Sequence, residues 1–305
     1  MGSFIEFFYF TGQTVHHGLS QANVCMNITT LSMAIFAGSL AAGFLGSLTG
    51  LGGGVVIVPL LTLVFGIDLR YAVGASLISV IATSSGAAAA YVREGYSNVR
   101  IGLFLEIATT IGALVGAGLA SHVSTSNIAV IFGVVLLYSA LSASGKHREA
   151  STAAPGSKPT LGDRLRLGGS FPGKDGPEPY TVRRVPLGFA IMAGAGALSG
   201  LLGIGSGAVK VLAMDRAMGL PFKVSTTTSN FMIGVTAAAS AGIYLSRGYI
   251  DPGLAMPVML GVMAGALFGS RFLMRAKVSV LRNVFRAVLL VLAAEMIYNG
   301  WTKRI

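Results

Sequence analysis

Apolar residues in this chain come in long runs separated by short polar stretches. Leu31–Leu51, Ala72–Val92, Ile101–Ala120, Ile128–Ala143, Leu187–Leu202, Ser225–Leu245, Leu254–Gly269 and Val284–Ile297 each hold at most two charged residues. A bilayer's hydrocarbon core is crossed by roughly 20 such residues wound as a helix. The pattern predicts an all-α integral membrane protein. One further apolar segment, Val55–Phe65, follows the glycine cluster of "LTGLGGGVVIVP". At 1.5 Å per residue it would reach about 16 Å, half a membrane, so a re-entrant or broken helix pair is expected there.

The pattern occurs twice. At an offset of 153 residues Gly52 falls on Gly205, Gly54 on Gly207, Ser76 on Ser229, Thr83 on Thr236 and Tyr91 on Tyr244. "GALVG" at Gly112–Gly116 falls on "GALFG" at Gly265–Gly269, with no gap from Gly52 to Ala140. Residues 30–144 and 187–305 therefore read as two membrane repeats. In each, a glycine-broken short helix pair precedes three transmembrane helices. Residues 1–29 have no basic start, and Glu6 interrupts "FIEFFYF", which argues against a signal peptide and for an interfacial segment. Residues 145–186, rich in Gly, Pro and Arg, read as a solvated basic linker without a core of its own.

Charge sets the orientation. Basic loops face the cytoplasm, which puts the linker, Arg93/Arg100 and Pro221–Lys223 inside, and Gly66–Arg70, His122–Asn127 and Gly248–Asp251 outside. Corresponding loops of the two repeats thus fall on opposite sides, and inverted-topology repeats are expected, a recurrent transporter plan. Lys303 and Arg304 fall outside on this count, against the rule.

Composition removes alternatives. Charged residues make up 11% of the chain, against about 25% in soluble domains. The net charge of +11 is spread over loops rather than gathered on one face, so nucleic acid is not an expected partner. A single cysteine, Cys25, allows no intrachain disulfide, and four scattered histidines lack metal-ligand spacing. No nucleophile–base pair or cofactor motif points to an enzyme, and neither a metal nor a cofactor is expected.

The candidate chemistry lies at the glycines. A helix that begins at a glycine turn presents amides without intrahelical partners and the positive end of its dipole. Two such starts, one per repeat, would suit an oxyanion. Gly52, Gly53, Gly54, Gly205, Ser206 and Gly207 are the backbone candidates, whereas Gly112/Gly116 and Gly265/Gly269 fit close helix packing. Lys210, four residues after Ser206 in an apolar run, has Ile57 as its repeat partner. A cation at that depth is costly, and an anionic ligand is one reason to keep it; snorkelling or pairing with Asp215 is the other. In "VSTTTSN", Ser229 and Asn230 share a face with Thr226, and Ser76 is the repeat partner of Ser229. These three, Ser76, Ser229 and Asn230, complete the candidate site, while Ser225 is a candidate N-cap. Thr83 and Thr236 are deeper candidates. Glu106 and Glu295 are readable as proton carriers or, more simply, as hydrogen-bonded carboxylates.

Together, "GLGGGVVIVP", "YAVGAS", "VSTTTSN" and the "GY" pairs at Gly95 and Gly248 resemble the TauE/SafE sulfite exporter family over roughly residues 31–297. That resemblance implies a bacterial inner-membrane permease for sulfite, thiosulfate or organosulfonates such as sulfoacetate, mostly exporting. The second repeat departs from it with "GIGSG" in place of "GLGGG". The expected function is a secondary transporter working by alternating access, with a small sulfur oxyanion and the lipid bilayer as its partners. Transport of another small anion or metabolite, or a non-transport assembly role, are the competing readings.

Overall fold

A computed structural model of the chain describes residues 28–47, 53–93, 97–142, 161–172, 176–273 and 278–303. The N-terminal interfacial segment expected over residues 1–29 therefore lies almost wholly outside them. The first half runs α1 (Ile28–Ser47), α2 (Gly54–Pro59) with a π-helical continuation Leu60–Val64, α3 (Leu69–Arg93), α4 (Val99–Leu119) and α5 (Thr125–Ser142). A short helix α6 (Leu161–Arg164) and a hairpin of β1 (Gly169–Pro172) and β2 (Pro177–Tyr180) follow. The second half runs α7 (Val185–Leu202), α8 (Gly207–Leu212) with a π-helical continuation Ala213–Ala217, α9 (Phe222–Ser246), α10 (Pro252–Leu273) and α11 (Val278–Trp301).

The duplication read from the sequence is visible in the helix boundaries. α2, its π-turn and α3 start and stop at positions that become those of α8, its π-turn and α9 on adding 153. The local devices repeat as well. Gly66 and Gly219, 153 apart, both turn the chain at positive φ, 64° and 75°. Asn98 Oδ1 accepts from the Ile101 amide at the start of α4, and at the equivalent position Asp251 Oδ1 accepts from the Gly253 amide at the start of α10. Pro59 ends the α-helical part of α2, but Leu212 stands in its place in α8 and the π-turn still forms. The proline is not its cause.

Each half packs chiefly against the other. α1 lies along α10, α4 along α7, α5 along α11 and α3 along α9. Glycine permits this closeness. A Cβ at Gly196 would sit 2.1 Å from the Thr109 carbonyl oxygen, and the repeat equivalent, Gly43, would sit 2.3 Å from that of Val262. Gly112 and Gly265 form the second equivalent pair, against the carbonyls of Ala193 and Leu40. The packing role expected of the "GALVG" glycines is what the contacts at Gly112, Gly116 and Gly265 show.

Helix directions follow from the same contacts. Gly112 meets Ala193 and Gly116 meets Ala197, so α4 and α7 run parallel. Gly133 meets Ala293 and Ile297, and Gly300 meets Ser126 and Val130, so α5 and α11 run antiparallel. α3 and α9 are antiparallel too. Tyr71 at the start of α3 stacks edge-on against Tyr249 just past the end of α9, at 5.8 Å, and the Asn98 amide just past α3 donates to Thr228 near the start of α9.

The outer surface is apolar. On α4, Leu103, Ile107 and Ile111 follow one another at helical spacing and are each more than half exposed, a stripe that water would not tolerate at this density and lipid does. Among the described residues, Val99–Leu119 and Val185–Leu202 are long and apolar enough to cross a membrane; Thr29–Leu45, Gly54–Val64, Thr125–Leu141 and Pro252–Phe268 are shorter apolar helices.

The linker corrects one expectation. Composition suggests a solvated strand of chain, yet Leu167, Tyr180 and Val182 are buried in an apolar cluster with Ile101, Leu105, Met218 and Leu220. The hairpin is pinned to α4 by Asn98, whose Nδ2 donates to the Leu167 carbonyl and to the Tyr180 hydroxyl at 2.9 and 2.7 Å. Isolated apolar residues in a polar stretch provide this anchor without changing the average composition.

Candidate functional site

The chain between α7 and α8 is broken by three left-handed residues: Gly203 (φ 68°), Gly205 (φ 70°) and Ser206 (φ 45°). Glycine adopts that region freely, but a serine there costs energy and persists only where its surroundings impose it. The Gly203 amide closes α7 onto the Ser199 carbonyl at 2.8 Å, and α8 starts afresh at Gly207. This is the interruption that the glycines of "GIGSG" predict. In the first half Gly53 caps α2 in an ordinary helical conformation (φ −65°), while Gly52 lies outside the described residues.

Several of the residues singled out in the sequence converge. A Cβ at Gly54 would meet Ser76 Oγ at 2.8 Å, Val80 at 2.7 Å and the Gly203 carbonyl at 3.3 Å, so the first helix start lies against the break of the other half. Ser76 Oγ donates to the Gly203 carbonyl at 2.8 Å, with the Gly54 carbonyl at 3.4 Å. Its repeat partner Ser229 donates to the Gly207 carbonyl at 3.3 Å. Both hydroxyls thus hold the broken segments to α3 and α9. Ser206 Oγ is buried without a hydrogen-bond partner among the described residues, and Asn230 is half-buried one residue beyond Ser229.

The other hydroxyls of "STTTSN" divide by role. Thr226 and Thr227 bond back to the Phe222 and Lys223 carbonyls of their own helix. Thr228 faces the Asn98 amide of the first half. Ser225 does not cap α9, which begins three residues earlier at Phe222; its hydroxyl is buried without a partner among the described residues.

Lys210 is fully buried, with no exposed surface. Its ammonium donates to Thr236 Oγ1 at 2.6 Å, and that hydroxyl reaches Glu106 Oε1 at 2.7 Å. Thr110 adds a bond to the same carboxylate oxygen at 3.2 Å. The cation is therefore answered by a carboxylate 104 positions away in the chain, through a threonine that is 26 positions from one and 130 from the other. Sequence reasoning picks out Lys210 and ranks Glu106 and Thr236 low. The signal that would have joined them is the rarity of ionisable residues in apolar runs: Glu106 and Lys210 are two of very few.

The family model described as "Sulfite exporter TauE/SafE" matches residues 35–296, through both halves and the linker between them. The chain belongs to the TauE/SafE family. It is similar to a probable membrane transporter protein, YunE, of Bacillus subtilis, 29% identical over 86% of this chain and 95% of that protein. YdhB of the same organism, also described as a probable membrane transporter, is 29% identical over 79% of this chain and 88% of its own length. A probable membrane transporter of Xylella fastidiosa is 24% identical over 90% of this chain and 98% of its own length. No solved structure matches the chain. As a TauE/SafE protein it is membrane-embedded and belongs among transporters, and its buried polar groups are to be understood in that setting.

Proposed function

We propose that the chain is a secondary transporter of sulfite or of a small organosulfonate such as sulfoacetate, set in the bacterial inner membrane with its linker on the cytoplasmic side. The observation that carries this reading is Lys210, fully buried one turn into α8, directly after the left-handed break at Gly203–Ser206. A buried cation beside a helix start, in a family of membrane transporters, suits an anionic cargo. The site is taken to comprise the helix starts at Gly52–Gly54 and Gly205–Gly207, with Ser76, Ser206, Lys210, Ser229 and Asn230 around them. A sulfonate's three oxygens would draw on the amides at these starts and on the ammonium.

Alternating access between two inverted repeats is the mechanism proposed. Its support is that α3 and α9 are equivalent in sequence and antiparallel in space, as are α5 and α11. An axis lying in the membrane plane relates elements in this way. The loops assigned to one side by their charge also fall at one end of the molecule: Asn98 meets Thr228, Leu167 and Tyr180, and Arg183 meets Met218. At the opposite end Arg247 bonds the Ala117 and Gly118 carbonyls. The family description names export, and outward is the direction proposed.

The test is efflux from liposomes that contain the purified protein and are loaded with sulfite, sulfoacetate, acetate or phosphate. Saturable efflux of the sulfur anions, slowed by K210A and not competed by acetate or phosphate, is expected. Equal movement of all four anions, or of none, would overturn the substrate assignment.

A further inference from the structure

Lys210 and Glu106 are opposite charges inside the membrane region, bridged by Thr236. This pair has no counterpart in the other half. At the positions related by 153 residues Glu106 becomes Met259, Lys210 becomes Ile57 and Thr236 becomes Thr83. Thr83 bonds back to the Ser79 and Val80 carbonyls of its own helix. Helix packing does not need the charges, since the same contacts are made without them on the equivalent side.

The carboxylate is half-used. Glu106 is 6% exposed; its Oε1 accepts from Thr236 and Thr110, while Oε2 is buried with no partner among the described residues. Lys210 is the charged group that acts on it. On the elements packed around it, α7 carries no titratable side chain, and on α9 Lys223 and Tyr244 stand near the two ends. On α4 itself Arg100 lies six residues away, beside the linker hairpin with Arg166 and Tyr180. Beyond Lys210, the π-turn after α8 adds Asp215 and Arg216. Thr236 can also turn its hydroxyl to the Met232 carbonyl at 2.9 Å, so it can let go of the carboxylate without being left unpaired.

We propose that Glu106 is a proton-binding site loaded together with the transported anion, so that one proton crosses with each sulfonate. The proposal rests on the preceding reading of Lys210 as the residue that meets the anion. Its logic is charge balance. With Glu106 ionised, Lys210 is already neutralised, and adding an anion leaves one excess negative charge in a medium where such charge is expensive. With a proton from water bound on Oε2, the lysine has no carboxylate to answer it, and the anion takes that place with no net charge. Release on the far side returns both the proton and the anion, and the pair closes again. A singly charged sulfonate then moves with no net charge, and the membrane potential neither drives nor opposes it; the anion and proton gradients set the direction. Thr236 is a positioning residue in this scheme.

The experiment uses the full chain in liposomes that enclose a pH-sensitive dye, with sulfoacetate as the probe and the potential clamped by potassium and valinomycin. Sulfoacetate is a dianion at neutral pH, so proton movement matching sulfoacetate movement about one to one, with one net charge rather than two crossing per molecule under the imposed potential, is expected. In detergent, sulfoacetate affinity should fall with rising pH, approaching tenfold per unit, and should be flat in E106Q. Sulfoacetate flux that carries two charges per molecule with no accompanying proton overturns the proposal even if E106Q cannot be purified, and leaves transport standing. Absence of both sulfoacetate flux and binding in the wild type takes down the transport reading and this proposal with it.

Discussion

Ser76 of the first half donates its hydroxyl to the Gly203 carbonyl of the second at 2.8 Å, fastening one repeat to the chain break of the other. Both groups are buried, so water cannot replace either partner. S76A should cost about 1–3 kcal/mol, the usual penalty for stranding a buried polar group. S229A, which loses the longer 3.3 Å bond, should cost less. Thermal unfolding in detergent would rank the two, and equal stability of S76A and wild type would remove the fastening role.

Two glycines of α7, two positions apart, should behave oppositely. A Cβ at Gly196 would lie 2.1 Å from the Thr109 carbonyl oxygen, whereas one at Gly194 meets nothing within 4 Å. G196A should destabilise by about 1–3 kcal/mol through overpacking, and G194A should be neutral or gain about 0.5–1 kcal/mol from reduced backbone freedom in the unfolded chain. Paired melting curves of the two variants check this.

Replacing Lys210 alone strands the Glu106 carboxylate. K210M should lose about 3–5 kcal/mol, the scale for breaking a buried ion pair by removing one partner, and K210M/E106Q should recover much of it. A double-mutant cycle on thermal unfolding measures the coupling. Additive losses would show that the threonine bridge carries no interaction between the two charges.

The linker hairpin should loosen in alkali. Burial holds the Tyr180 hydroxyl above the usual tyrosine value of 10.0, with the hydrogen bond from Asn98 pulling it down. The folded state therefore keeps its proton more firmly than the unfolded chain does. Tyr180's contribution to docking is complete below about pH 10 and declines as the pH rises through its elevated value. Limited proteolysis of the linker should accelerate above about pH 10 in the wild type, and Y180F should lack that added sensitivity.

Much of the fold was legible because duplication writes itself into spacing. The offset shared by Gly52/Gly205 and Ser76/Ser229 also relates helix boundaries, caps and π-turns. The break at "GIGSG" was legible because glycine marks backbone that other residues avoid, and Lys210 because cations are rare in apolar runs. Its partner was not. Glu106 lies on another helix of the other half, and no local pattern encodes which of the few buried charges will meet. The docked hairpin was hidden for a different reason. Leu167, Tyr180 and Val182 anchor it singly, leaving the average of residues 145–186 as polar as that of an unstructured tether.

Crosswise helix pairing has a consequence for how the protein is made. Of the described helices α1 leaves the ribosome first, yet the helix it chiefly lies against, α10, begins at Pro252, more than 200 residues later. At cellular elongation rates that delay is on the order of tens of seconds. Throughout it, the groove at Gly43 must be filled by lipid or by a helper protein, and a ribosome stalled anywhere before Pro252 releases a chain in which α1 has only the short α2 segment beside it and not its main packing partner.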